Sequence, residues 1–96
     1  MVEKLDDAQR EEALRGLGGW TYDAAAGAIG RAFKFRDFSE AFAFMSRVAL
    51  AAEKAGHHPD WSNSYSTVTI SLSTHDAGGL SDRDITLART IDRLLA

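Results

Sequence analysis

All three histidines of this 96-residue chain lie between positions 57 and 75. His57 and His58 follow a predicted helix and His75 follows a predicted strand, so rigid elements could hold each of them in a loop. The unperturbed pKa of imidazole lies near neutrality, which makes histidine a common group for proton transfer. The spacing therefore permits acid–base chemistry. It equally permits a surface His-His pair and an unrelated third histidine.

A metal site is the main competing interpretation. The chain has no cysteine and no HExxH spacing, which excludes thiolate zinc sites, iron–sulfur ligation, disulfides and thiol nucleophiles. Adjacent histidines in an extended segment point in different directions, so chelation by both is unfavourable. Spacing alone still leaves open a zinc site that uses His57 or His58 together with His75.

Asp84 and Trp61 each have a structural and a functional interpretation. Asp84 is the third residue of a helix that opens at Ser81, where a carboxylate completes a capping box. It could also orient a histidine or stabilise a cation, but the spacing favours the cap. Trp61 is either a core anchor or a platform on which a flat heterocycle stacks. Its residue type alone favours a position in the core.

The composition is that of a globular domain without a nucleic-acid or membrane partner. The 11 basic and 14 acidic side chains give a net charge of −3, whereas polyanion binding depends on clustered Lys and Arg. The N-terminus is polar and acidic, unlike a signal peptide, and the longest apolar run, residues 48–52, is too short to span a bilayer. We expect one cytoplasmic domain over residues 1–96. Its small core favours a homo-oligomer.

The clearest element is a helix over residues 37–56. Asp37 and Glu40 resemble a capping box, and Gly56 suits the left-handed position that ends a helix. The apolar residues follow i, i+3, i+4, i+7 spacing and form one predicted stripe: Phe38, Ala41, Phe42, Met45, Val48, Ala49 and Ala52.

Two further helices and a set of strands complete the chain. One helix begins near Asp6 or Asp7 and ends by Gly16, and the other opens at Ser81. Strand patterns cover residues 20–23, 28–35 and 61–74, the last with a possible break in its polar stretch, residues 62–66. The order predicts an α+β fold, in which helices pack on one face of a small antiparallel sheet.

These segments together resemble the pterin-4a-carbinolamine dehydratase family. The resemblance rests on His-His-Pro-x-Trp at residues 57–61, Thr-His at 74–75 and Ser-x-x-Asp at 81–84. It covers essentially the whole chain, and the three motifs at this spacing are far more specific than a lone His-His-Pro. One departure is Gly56, where animal members often have an acidic residue.

The resemblance implies a four-stranded antiparallel sheet with three helices on one face, assembled as a homodimer or homotetramer. It implies dehydration of 4a-hydroxytetrahydropterin to quinonoid dihydropterin, which recycles the pterin of aromatic amino acid hydroxylases. The substrate is a pterin. No metal or cofactor is needed, because loss of the hydroxyl needs an acid, loss of the iminium proton needs a base, and neither step is a redox reaction. The catalytic positions are His57, His58, His75 and Asp84, and the substrate-binding positions are Trp61, His58 and Thr74.

Within that chemistry, His57 or His75 supplies the acid and the other supplies the base, while His58 positions the ring. The alternative is a non-catalytic dimerisation or binding partner of a regulatory protein, since animal members also bind a homeodomain transcription factor. Because this chain keeps the whole histidine motif, we favour the enzyme.

Overall fold

A computed structural model describes residues 2–95 of the chain. Three α-helices and four strands follow one another in the predicted order, with one turn of 3-10 helix before the last helix. Within these residues no helix is both long and apolar enough to cross a bilayer. The bounds are α1 Asp7–Arg15, β1 Thr21–Asp23, β2 Ala28–Lys34, α2 Phe38–Ala55, β3 Asp60–Ser64, β4 Thr67–Leu72, the 3-10 turn His75–Ala77 and α3 Asp82–Arg93.

The strands form one antiparallel sheet in the order β1-β2-β4-β3. In the central pair Ile29 lies opposite Leu72, and both are fully buried, so the two strands share one apolar face. Thr69 on the other face is exposed. The polar stretch that could have broken the third predicted strand contains the turn between β3 and β4, where Tyr65 takes a φ of +52°.

All three helices cover the apolar face of the sheet. α2 packs on both β4 and α3, and Val48 of α2 and Ile91 of α3 are fully buried. α1 lies on the same side, because the Arg10 guanidinium sits 4.2 Å from the ring centroid of Tyr22, and Tyr22 pairs with the buried Ile29. The predicted α+β fold, with three helices on one face of a four-stranded sheet, is confirmed.

The predicted apolar stripe of α2 is wrong in part. Phe38 and Phe42 are 46% and 57% exposed, and Ala49 is exposed as well. Apolar side chains occupy two adjacent rows of this helix, and the pattern cannot tell which row the sheet and α3 will cover. The row that is buried includes Phe44, which the prediction omitted: Ala41, Phe44, Val48 and Ala52.

The helix caps agree with the sequence except at one point. Complete capping boxes begin α1 and α3. At α2, Asp37 accepts from the Glu40 N–H at 2.8 Å, but the Glu40 carboxylate accepts from the Arg36 N–H at 3.0 Å and does not return to the cap residue. Gly56 takes the predicted left-handed conformation, with a φ of +65°, and so ends α2.

Arg31 is the one charged residue on the apolar face of β2, and α3 supplies its partner. Its Nη1 donates to Asp92 Oδ1 at 2.9 Å, and Trp20 Nε1 donates to the same oxygen at 3.0 Å. The guanidinium also lies 4.7 Å from the ring centroid of Phe33. The charge is therefore paired rather than left uncompensated at the edge of the core.

Candidate active site

Asp84 is the centre of a hydrogen-bonded cluster at the N-terminus of α3. The residue is fully buried. Its Oδ2 accepts from the Ser81 backbone N–H at 3.0 Å and from the Thr74 hydroxyl at 2.8 Å, while its Oδ1 lies 2.6 Å from His57 Nε2. The predicted cap is confirmed, and the same carboxylate also contacts a histidine, so the two interpretations of Asp84 are compatible.

His57 reaches this carboxylate because of how α2 ends. The left-handed Gly56 turns the chain away from the helix axis, and the His57 N–H closes the end by donating to Ala52 O at 3.2 Å. The imidazole then packs against the first turn of α3, and its side chain is only 11% exposed. Nε2 is the nitrogen in contact with Asp84. The other ring nitrogen, Nδ1, makes no contact with the carboxylate.

Thr74 and Ser81 complete the cluster from a short loop. Thr74 and Gly79 exchange two backbone hydrogen bonds, at 2.8 and 3.3 Å, which bring the start and end of the loop together. Both hydroxyl-bearing residues are buried, and their Oγ atoms lie 2.6 Å apart. Within residues 2–95 no buried side-chain nitrogen or oxygen lacks a partner. The cluster is therefore fully satisfied.

The structure does not bring the other predicted site residues into this cluster. His58 points away from His57, and its Nε2 lies 2.9 Å from Glu53 Oε1; its side chain is 64% exposed. His75 is exposed at the start of the 3-10 turn, directly after Thr74. The divergence of the two adjacent histidines was predicted from the extended geometry before a proline.

Trp61 lies on the edge strand β3, opposite the buried Ile70. This register places it on the helix-covered face, yet it is 37% exposed because no further strand covers that edge. It is therefore neither a fully buried anchor nor a free surface residue, and a stacking role stays a prediction.

A cavity of about 240 Å³ between α2 and α3 has His57 in its wall. Small side chains make this space, because Ala51 and Ala55 lie one turn apart on α2. In the sequence, the alanine pair is the feature that indicates this cavity. Alanines at this spacing are equally common where two helices pack together without a cavity. The other lining residues are Asp82, Arg83, Thr86, Leu87 and Thr90.

The sequence does not predict two features of this cluster. Ser81 was assigned to the cap alone, although its hydroxyl contacts Thr74 as well as the Arg83 N–H. Thr74 was predicted to contact substrate, but it is buried and its hydroxyl is bonded to Asp84. A direct substrate contact of Thr74 stays a prediction, and these hydrogen bonds favour a role through Asp84. Among residues 2–95 no three His, Asp or Glu side chains converge as a metal site would require.

Comparison with known proteins identifies the family. The sequence pattern of the pterin 4 alpha carbinolamine dehydratases matches residues 3–94. The chain belongs to this family. Two bacterial relatives that carry the provisional name pterin-4-alpha-carbinolamine dehydratase match over nearly their whole lengths. The Rhodospirillum rubrum protein is 54% identical over 95 residues, which is 99% of either chain. The Rhizorhabdus wittichii protein is 56% identical over 93 residues, which is 97% of this chain and 96% of its own.

Solved structures place this pterin carbinolamine dehydratase family member in the same fold. A crystal structure described as a transcriptional coactivator/pterin dehydratase from Brucella melitensis superposes with a TM-score of 0.94 at 44% identity, over 98% of this chain and 100% of the other. A pterin dehydratase-like protein described as a RuBisCO assembly factor of the alpha-carboxysome has a TM-score of 0.69 at 22% identity, over 79% and 88% of the two chains. The second likeness concerns the fold alone.

Proposed function

We propose that the chain catalyses dehydration of a 4a-hydroxytetrahydropterin to the quinonoid dihydropterin. The observation that carries the proposal is His57, held by the buried Asp84 at 2.6 Å and exposed to the cavity between α2 and α3. A group that transfers protons is thus fixed in orientation beside a space of small-heterocycle size. Membership of the family supports the reaction class, and recycling of the pterin of an aromatic amino acid hydroxylase is the role that this reaction would serve.

The chemistry needs an acid and a base. The adjacent ring nitrogen lone pair assists cleavage of the C4a–O bond, and an acid protonates the departing hydroxide to give water. The remaining iminium cation then loses an N–H proton to a base, which yields the neutral quinonoid ring. We assign the two proton transfers to His57 and His75. Asp84 orients His57 and favours the positive charge that His57 gains.

The exposed groups near this region complete the proposed site. His58 directly follows His57 and Trp61 lies at the start of β3, and both side chains are exposed. We assign them to positioning the ring by hydrogen bonding and stacking. Gly56 stands where animal relatives often carry an acidic residue. The proposed site therefore has no carboxylate at that position. Cytoplasmic location stays a prediction from the sequence.

The test is dehydration of freshly generated 4a-hydroxytetrahydropterin, followed by ultraviolet absorbance with and without the purified protein. We expect acceleration over the spontaneous rate, because general acid–base catalysis alone contributes about 10²- to 10⁴-fold. Folded protein that leaves the spontaneous rate unchanged would contradict the proposal. It would favour the alternative, a binding partner without catalytic activity.

We also propose that the chain self-associates through the second, exposed apolar row of α2, which consists of Phe38, Phe42 and Ala49. Phe38 and Phe42 contact each other with ring centroids 5.9 Å apart, and Leu50 lies further along the helix with 74% of its surface exposed. An exposed aromatic row of this kind is typical of an interaction surface. Burial of that row in a homodimer or homotetramer would remove apolar surface that the small core cannot cover.

We expect Phe42→Lys to lower the mass measured by light scattering at micromolar concentration towards that of one chain, because a charge would be buried in the interface. Glu11→Lys, an exposed change on α1, is the control and should leave the mass of the assembly unaltered. A monomeric wild-type chain would refute the proposed association.

A further inference from the structure

The four polar groups behind His57 form one continuous series of hydrogen bonds. The Arg83 N–H lies 3.3 Å from Ser81 Oγ, Ser81 Oγ lies 2.6 Å from Thr74 Oγ1, and Thr74 Oγ1 lies 2.8 Å from Asp84 Oδ2. The series ends at His57 Nε2, 2.6 Å from Asp84 Oδ1. Its three side chains beyond His57 are all buried, so water does not compete for these contacts.

Hydrogen-bond chemistry fixes the direction of every step. An ionised carboxylate only accepts, so the Thr74 hydroxyl must donate its single hydrogen to Asp84. Thr74 can then only accept from Ser81, so the Ser81 hydroxyl must donate to it. Ser81 Oγ in turn accepts from the Arg83 backbone N–H, which can do nothing but donate. No hydroxyl in the series is free to reverse.

The same reasoning sets the protonation of His57. Asp84 Oδ1 also only accepts, so His57 Nε2 must carry a hydrogen. In the neutral imidazole one nitrogen carries the hydrogen and the other has the lone pair. Nδ1 is then the nitrogen that can take a proton. The tautomer therefore follows from the contact with Asp84 Oδ1, and the hydrogen bonds from Thr74 and the Ser81 N–H to Oδ2 hold the carboxylate in the orientation that makes this contact.

We propose that Thr74 and Ser81 are positioning residues: they hold Asp84 in the orientation that fixes the His57 tautomer, so that Nδ1 is the basic atom. In the reaction, an N–H bond of the iminium cation breaks, its electron pair stays on the pterin ring, and the proton forms a new bond to Nδ1. The resulting imidazolium keeps its Nε2–H donated to Asp84. This assignment of a base rests on the proposed dehydration, whereas the tautomer itself does not.

A purely structural role explains Ser81 better than it explains Thr74. The Ser81 hydroxyl and N–H form part of the capping box of α3. This capping box does not require the Thr74 hydroxyl. The Thr74 hydroxyl contacts only side chains of the series, and burying a hydroxyl is unfavourable unless its bonds are made. A valine of the same shape would serve the core equally well. A substitution of Thr74 therefore distinguishes a positioning role from a purely structural role.

The test compares Thr74→Val, which removes the hydroxyl, with Thr74→Ser, which keeps it. We expect Thr74→Val to lower kcat about 10-fold with little change in KM, since a hydrogen bond to a charged group is lost. The carboxylate then loses one of the two donors that hold Oδ2 and can turn away from Nε2. Nitrogen-15 NMR of the His57 imidazole should therefore show the hydrogen moving in part from Nε2 to Nδ1. Thr74→Ser should restore both the rate and the Nε2–H form.

Two further variants keep the test decisive. Ser81→Ala removes the donor to Thr74, and we expect a loss of about 3-fold, as for one neutral hydrogen bond; it serves if Thr74→Val does not fold. Thr69→Val, an exposed threonine on the open face of the sheet, is the matched control and should change neither readout. A folded Thr74→Val with wild-type kcat and a wild-type imidazole spectrum overturns the proposal. If the wild-type chain does not dehydrate pterin, the proposed function fails, and the NMR readout still decides the role of Thr74.

Discussion

We expect His57→Ala to lower kcat for dehydration by about 10²- to 10⁴-fold, the usual contribution of a positioned acid–base group. His57 is the one histidine whose imidazole the buried carboxylate holds in place, so its loss removes both a proton acceptor and its fixed orientation. Separate measurement of kcat and KM for each histidine variant checks this. An interaction made only in the transition state should affect kcat, whereas ground-state binding should affect KM.

Two variants separate chemistry from stability at this position. His57→Ala leaves Asp84 without one of its three donors, so the variant should also be less stable. His57→Gln keeps a side-chain N–H that can reach Asp84 but has no group that titrates. We therefore expect His57→Gln to lose as much activity as His57→Ala while melting closer to the wild type.

His58→Ala is the neighbouring control. Its contact is with Glu53, and both side chains are largely exposed, where such pairs contribute little. We expect a loss below about 10-fold, mostly in KM, because a positioning residue for the ring acts in binding. Equal small losses at His57, His58 and His75 would contradict the division of roles.

The local signals in the sequence predicted most of the fold. The Asp cap of α1, the capping box of α3 and the glycine after α2 depend on contacts within four residues, and the structure confirms them. The alternation of Val68, Ile70 and Leu72 likewise needs no knowledge of the rest of the chain. Features that are local in sequence could be predicted because their physics is local.

Features set by tertiary contact could not be predicted in the same way. The choice between two apolar rows of α2 depends on where β4 and α3 lie, so Phe44 was missed and Phe42 was misplaced. The site shows the same limit. The spacing of Ser81 and Asp84 indicates a cap, but only the end of α2 beside α3 shows that the second carboxylate oxygen of Asp84 meets His57.

Asp84→Asn should lower kcat about 10³- to 10⁴-fold while the fold is kept, by analogy with the same change at the aspartate of a Ser-His-Asp triad. An asparagine has one oxygen that accepts and one NH₂ that donates. Two donors, the Ser81 N–H and the Thr74 hydroxyl, face Oδ2, so the amide oxygen should remain there. Its NH₂ then points at His57 Nε2, which must become the acceptor.

The hydrogen of the neutral imidazole is thereby moved to Nδ1, and the proposed basic atom is lost without loss of the cap. We expect the melting temperature of Asp84→Asn to stay nearer to the wild type than that of Asp84→Ala, in which the capping oxygen is absent too. Nitrogen-15 NMR should report the Nδ1–H form of His57 in Asp84→Asn. A variant that keeps kcat within about 10-fold of the wild type, despite that change of tautomer, would show that Nδ1 of His57 is not the base. A variant that keeps the Nε2–H form would instead show that the amide has rotated and that Asp84 does not control the tautomer.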